Sequence, residues 1–226
     1  MQAGFQLSRA SPYHYVKRMC DIILSGLLLV VCVPLMAVIA ALIWLTSGRP
    51  VIFKQHRVGR DEAIFTAYKF RTMRNESEVG GQRTEVGNRR SEDRGQGAEV
   101  READLYTREN DPRILPVGRW LRKLRLDELP QLWNVFHGEL SLIGPRAEWV
   151  ECAERYRNKI PFYHFRHLVK PGITGWAQVN YPYGESEEDA VEKLKYDLYY
   201  IRHYSLKLDA MIVLKTIHIM FAGKGR

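Results

Sequence analysis

Residues 22–45 read IILSGLLLVVCVPLMAVIAALIWL, a run of twenty-four residues without a charge. A helix needs ~20 apolar residues to cross a bilayer, so the run is long enough. Pro34 stands at its middle. An internal proline removes one backbone hydrogen bond and clashes with the preceding turn, which kinks the helix. Each half is then about 12 residues, or ~18 Å of helix. Both flanks are basic: Lys17 and Arg18 before the run, Arg49, Lys54, Arg57 and Arg60 after it. The positive-inside rule places such flanks on the cytoplasmic side. A helix that enters, bends at Pro34 and returns satisfies both flanks at once. A single kinked span with the remainder outside is the simpler alternative. The apolar part is too long for a secretory signal and no A-x-A-like cleavage site is evident.

The chain's 226 residues are long enough for one sizeable domain. The formal charge of +8 favours anionic partners without choosing among nucleic acid, phosphorylated metabolites and membrane surface. Cys20, Cys32 and Cys152 form no CxxC pair, so neither a metal nor a disulfide framework is expected. There is no GxxxxGK[ST] loop, GxGxxG or HExxH, and no DNA-binding signature supports a nucleic-acid partner.

Val51–Phe53 and Ala63–Phe70 read as short strands, with KQHRVGRDE and its Gly59 as the turn of a hairpin. From Asn75 to Asn110 glycine, arginine, glutamate, serine and asparagine dominate. So few apolar side chains cannot offset the ordering entropy. This polar insertion, about 75–110, is either a mobile lid or a passive loop. Leu121, Leu124, Leu129, Leu132, Trp133 and Phe136 then recur at helical spacing, and Pro130 divides them into two helices meeting near Asp127. A further helix is expected over about 147–158, and KPGITG at 170–175 is a loop. Ser186-Glu-Glu-Asp189 resembles a capping box opening a helix to about Tyr204. Residues 208–221 form a core helix or an amphipathic interfacial one.

The densest charged cluster is Arg122-Lys-Leu-Arg125-Leu-Asp127-Glu128-Leu-Pro130. Pro130 belongs in a first helical turn, so a helix should begin near Asp127. Its unpaired N–H groups and dipole would favour phosphate and an ionised carboxylate. An ionised Asp beside phosphate can act as a nucleophile if cations or a metal offset the repulsion. On the residues alone, a surface helix start with a salt bridge explains the pair as well. Lys69, Arg71 and Arg146 are further cations that could hold a diphosphate, arginine through its planar fork.

Taken together, the apolar helix with Pro34, FKQHRVGRD (53–61), YKFRTM (68–73), the run NDPRILPVGRWLRKLRLDELPQLWNVFHGELSLIGPR (110–146) and KPGITGWAQVN (170–180) resemble the bacterial sugar transferase family. These are the monotopic polyprenyl-phosphate phosphoglycosyl transferases. The resemblance spans about Tyr15 to Met220. It implies a helix-rich α+β fold forming one domain. A re-entrant membrane helix broken at Pro34 (15–48) would lead into a small β-hairpin and a cytosolic helical catalytic part (49–226) with amphipathic interfacial helices.

By position, the resemblance makes Asp127 the nucleophile that attacks the β-phosphate of a UDP-sugar, and Glu128 its dyad partner. Mg²⁺ would bind at Asp127 with the diphosphate. Lys69, Arg71, Arg122 and Arg146 would hold phosphate, and Gln178 would lie near the nucleotide. The implied partners are a UDP-sugar donor, a polyprenyl phosphate acceptor and membrane lipid, with a homodimer left open. The implied place is the cytoplasmic face of a bacterial inner membrane. A membrane-bound glycosyltransferase releasing UDP and a non-catalytic membrane scaffold are the alternatives. The sequence departs from the family at Val33-Pro34, where Ser-Pro is usual, and at Ala147, where proline usually follows GPR. It departs again at Tyr181-Pro182-Tyr183-Gly184, where Gly-Arg is usual. The last departure puts sugar or nucleotide contacts in question. The start of the chain just before the apolar helix reads as a short form or an excised catalytic part.

Overall fold

The computed structural model describes residues 12–74, 111, 113–181, 184 and 186–221. The side chains of Pro12, Met220 and Phe221 are not among the features described. The insertion expected at 75–110 lies outside the described residues, as do Pro182 and Tyr183. On either side of the insertion the chain is paired with itself: Arg74 N–H donates to the Arg113 carbonyl at 2.8 Å, and Leu115 N–H to the Thr72 carbonyl at 3.0 Å.

Helix α1 runs from Pro12 to Ser47 with Pro34 inside it. The expected break does not divide it into two elements, because proline removes only its own N–H and the apolar residues around it continue the helix. One stripe of α1 faces the rest of the chain. Asp21, Ser25, Ile39 and Ile43 are buried, and Leu29, Cys32 and Met36 between them are half-buried. The remaining surface is apolar and open, Val30, Val31 and Leu45 among it. The helix is long and apolar enough to cross a membrane.

Both ends of α1 pack on the same body. Near its start, Lys17 pairs with Asp209 at 2.5 Å. Arg18 donates to the carbonyls of Val135 and Phe136, and Asp21 accepts from Ser141 Oγ and the Leu142 N–H. Near its end, Ile39 and Ile43 share a core with Phe70 and Leu121.

Strands β1 (Ile52–Val58) and β2 (Ile64–Phe70) form an antiparallel hairpin with Ile52 opposite Phe70 and Val58 opposite Ile64. The first strand is longer than its composition indicates. Lys54 to Arg57 belong to the ladder rather than the turn, and Arg57 is buried by bonding the Ala147 carbonyl at 2.5 Å. The turn is a short 3₁₀ segment, Arg60–Glu62, in which Asp61 and Glu62 take positive φ.

Helix α2 (Pro116–Lys123) starts with proline at its first position, where a missing N–H is tolerated. A 3₁₀ turn, Leu126–Glu128, follows Arg125, whose left-handed φ of 55° redirects the chain. Helix α3 (Gln131–His137) comes next and ends on Gly138 at φ 92°. Strand β3 (Ser141–Ile143) pairs in parallel with β4 (Gly172–Thr174). Strand β4 lies inside the segment 170–175, which was expected to be a loop.

Helix α4 is Val150–Lys159 and α5 is Trp176–Asn180. A 3₁₀ segment, Tyr163–Leu168, lies between them. The capping box at Ser186 and Asp189 is present and opens α6, Glu187–Arg202. Helix α7, Leu206–Phe221, buries Leu208 and Ile212 but exposes Leu206 and Leu214, so it is half core and half open apolar surface.

The fit of α2 against β2 is tight. A Cβ added to Gly118 would lie 2.3 Å from the Thr72 carbonyl oxygen, which is backbone and cannot swing away. Gly118→Ala should therefore cost about 1–3 kcal/mol by overpacking and lower the thermal unfolding midpoint in detergent. An unchanged midpoint would rule out this close approach.

Candidate active site

Glu128 is the centre of the site. It is 8% exposed, and its Oε1 accepts from Lys69 Nζ at 2.8 Å and Arg146 Nη2 at 3.3 Å. Burial alone would push its carboxyl up. The two cations outweigh burial and hold Glu128 well below the usual carboxylate range. Burial likewise pushes the Lys69 ammonium down to about 8. Glu128 resists that shift, while Arg57 and Arg146 add to it.

Asp127 is half-buried on the same 3₁₀ turn. Its carboxyl is raised, first by burial and also by the adjacent charge of Glu128, while Lys69 and Arg122 pull it down. The two neighbouring acids are thus shifted in opposite directions. Such a split separates a fixed anion from a more basic, more reactive one.

The expected helix start at Asp127 is corrected. Helix α3 begins at Gln131 with Pro130 as its N-cap, and the left-handed Arg125 sets up a 3₁₀ turn instead. The positive environment comes from Lys69, Arg122 and Arg146 side chains rather than from a helix dipole.

Arg146 is positioned by its backbone. It bridges to Gly172 beside the β3–β4 pair, and Arg166 Nη2 donates to its carbonyl at 2.9 Å. The approach is possible only with glycine: a Cβ on Gly172 would sit 2.1 Å from the Gly144 nitrogen. The GPR and KPGITG segments are therefore two sides of one contact.

Arg71 is directed elsewhere. It donates to the carbonyls of Met73, Ser47 and Arg49 and so ties the exit of α1 to β2. Gln178 lies on α5, and its Nε2 donates to the Ile173 carbonyl at 2.9 Å. Its buried Oε1 has no hydrogen-bond partner among the described residues.

Three supporting residues were not singled out from sequence. Arg57 lies close enough to Arg146 and Glu128 to feel both charges. Asn134, fully buried, donates to the Thr66 carbonyl and accepts from the Tyr68 N–H, locking α3 to β2. Arg166 is paired with Asp197 at 2.8 Å deep in the body. Of these Arg57 and Asn134 lie in stretches that carried the family resemblance, and Arg166 does not. Nothing in charge or spacing marks Asn134 or Arg166.

No group of three or more His, Cys, Asp or Glu able to hold a metal occurs among the described residues. Magnesium in phosphate chemistry commonly takes one or two carboxylates and completes its shell with substrate oxygens and water. Asp127, half-buried beside the charges of Lys69 and Arg122, is the carboxylate of the site that makes no direct ion pair with them and could take such a place.

A model of the family described as "Bacterial sugar transferase" matches residues 12–223, and the chain belongs to that family. It is 40% identical, over 94% of its length, to the UDP-N-acetylgalactosamine-undecaprenyl-phosphate N-acetylgalactosaminephosphotransferase of Aeromonas hydrophila, of which the match covers 45%. It is 38% identical to the UDP-glucose:undecaprenyl-phosphate glucose-1-phosphate transferase of Klebsiella pneumoniae, covering 92% of this chain and 41% of that one. The chain therefore spans less than half the length of these relatives. The exopolysaccharide production protein PSS of Rhizobium leguminosarum is 35% identical and matched over 98% of its own length and 93% of this chain.

Lys69 gives the site a pH signature. Its cation is present below about 8 and is lost as pH rises through that value. If the Lys69 charge binds donor phosphate, kcat/KM should fall on an alkaline limb near pH 8, because this ratio reports the free enzyme. Lys69→Arg should move that limb upward, since arginine stays charged. A limb that stays in place in the arginine variant would assign it to another group.

Proposed function

We propose that this chain transfers a sugar 1-phosphate from a UDP-sugar to undecaprenyl phosphate and releases UMP, at the cytoplasmic face of a bacterial inner membrane. The observation that carries the reading is the adjacent pair Asp127-Glu128 on one 3₁₀ turn, with Glu128 bonded to both Lys69 and Arg146. Family membership and the printed activities of the relatives support it.

In the first half-reaction an oxygen of the ionised Asp127 attacks the β-phosphorus of the donor. The bond from that phosphorus to the bridging oxygen breaks, and UMP leaves with the electron pair. The sugar phosphate is then held on Asp127 as an acyl phosphate, a mixed anhydride. In the second half-reaction a phosphate oxygen of the polyprenyl acceptor attacks the same phosphorus. The bond to Asp127 breaks, the carboxylate is restored, and a polyprenyl diphosphate sugar departs. Splitting one transfer into two displacements is the usual benefit of a covalent nucleophile.

Lys69, Arg122 and Arg146 offset the charge of the diphosphate and of the developing transition state. Glu128 is held ionised by Lys69 and Arg146 and in turn fixes those two cations. Mg²⁺ held by Asp127 and the diphosphate would neutralise further charge when bound. Gln178 is kept as a donor contact, supported by its unpartnered buried oxygen, and Arg71 acts as a brace between the exit of α1 and the strand that carries Lys69.

The re-entrant course of α1 is part of the proposal. Its support is that the two ends of one apolar helix pack on one body carrying the basic flanks. In a background without native cysteines, Val16→Cys and Lys54→Cys should both react with an impermeant thiol reagent from the cytoplasmic side. Labelling of the two from opposite sides would sink the re-entrant course.

The chemistry has its own test. Asp127→Asn should lose UMP release by several orders of magnitude while retaining its unfolding midpoint. A quench of the unaltered protein with radiolabelled donor should trap one sugar phosphate on the peptide containing Asp127. UDP as the sole nucleotide product would end the proposal, and normal turnover by the asparagine variant would too.

A further inference from the structure

A second pair of cations lies at the other end of α3, where the chemistry at Asp127 does not use it. A Cβ placed on Gly138 would be 3.0 Å from Arg18 Nη2 and 3.1 Å from Lys170 Nζ. Both cationic heads therefore border one small space. Arg18 is fixed there by its bonds to the Val135 and Phe136 carbonyls.

Lys170 is half-buried, and its Nζ makes no hydrogen bond or ion pair among the described residues. The acid whose charge reaches it is Asp21, and Asp21 Oδ1 is already taken by Ser141 Oγ and the Leu142 N–H. Arg60 adds a third positive charge nearby. Burial and these like charges push the Lys170 ammonium down. A half-buried cation group with so little counter-charge favours an anion from outside the chain.

The border of this space is apolar. Phe136 lies 3.5 Å from the point a Cβ on Gly26 of α1 would occupy. Ile23 of α1 and Trp133 and Phe136 of α3 are large and exposed, and the Trp133 ring stands 4.3 Å from that of His137. Aromatic rings of this kind favour the depth of lipid headgroups. A soluble anion gains nothing from such a border, whereas an amphiphile matches both parts.

We propose that Arg18 and Lys170 hold the phosphate of an anionic membrane phospholipid, its chains lying along Ile23, Phe136 and Trp133. The polyprenyl acceptor fits this place poorly, because its phosphate must reach Asp127, beyond the opposite end of a seven-residue helix that is ~10 Å long. The proposal rests on α1 lying in a bilayer and not on the chemistry at Asp127.

The test uses the whole chain in nanodiscs of equal phosphatidylcholine and phosphatidylglycerol, with retained lipid counted by native mass spectrometry. Phosphatidylglycerol should be enriched on the unaltered protein. Lys170→Gln should lower that enrichment roughly fivefold, the value of one cation near anionic headgroups, and Lys170→Arg should restore it. UMP release by Lys170→Gln in detergent should match the unaltered protein. Equal retention of the two lipids, or unchanged enrichment in the glutamine variant, overturns the proposal. Stripping of the lipid by millimolar inorganic phosphate would mark a soluble-anion site and overturns it as well. Lipid retention is read without turnover, so it succeeds or fails independently of the proposed reaction.

Discussion

The buried carboxylate of Glu128 is the constraint on which the site is built. A carboxylate removed from water needs cationic partners, and losing one strands the charge at a cost of several kcal/mol. Glu128 obtains those partners from Lys69 on β2 and Arg146 after β3. Three segments far apart in sequence must therefore meet at one oxygen. Asp127 is carried into place as the neighbour of that anchor. The same surroundings act on the two acids unequally. Glu128 makes direct contact with the cations and is held ionised, while Asp127 feels burial and its neighbour more strongly than the cations.

The cations need support of their own, and the body behind the site supplies it. Lys69 is placed by the hairpin, where it faces Phe53 across the ladder. Arg146 is placed by a backbone bridge to Gly172 and by Arg166. Arg166 is itself oriented by Asp197 on α6 and by the Tyr163 hydroxyl. The chain of contacts runs from a long helix, through a buried ion pair, to a backbone carbonyl. A buried pair of this kind adds little net stability against an apolar substitute, so its observed geometric effect, the orientation of Arg146, is the clearer reason for it.

Much of this was legible in the sequence, for identifiable reasons. The apolar run was readable because twenty-four residues without a charge mark a long apolar helix by composition alone. Helix α6 was readable because Ser186 and Asp189 form a cap whose chemistry is local. The pairing of β3 with β4 was hidden: parallel strands of three residues carry no periodicity, and the glycines that permit their approach look like loop residues. The length of β1 was hidden because Lys54 to Arg57 are polar, and polarity reads as turn until a partner strand is known. The start of α3 was misplaced because a left-handed Arg125 is unusual for a residue with a side chain. Its effect is visible only in the backbone. Arg166 and Asp197 carry no pattern at all, since burial of a charge depends on the partner and not on spacing.

The position of α1 connects the apolar helix to the chemistry through single steps along the chain. Ile39 and Ile43 pack against Phe70 and Leu121. Phe70 is the residue after Lys69, and Leu121 precedes Arg122. On β2, alternation sends Phe70 toward α1 and Lys69 toward Glu128. On α2, Leu121 turns to the shared core while the charge of Arg122 acts on Asp127. The residues that seat the apolar helix are thus the immediate neighbours, along the chain, of the cations around Asp127 and Glu128. Any shift of α1 against Phe70 and Leu121 is passed to Lys69 and Arg122 through one peptide bond.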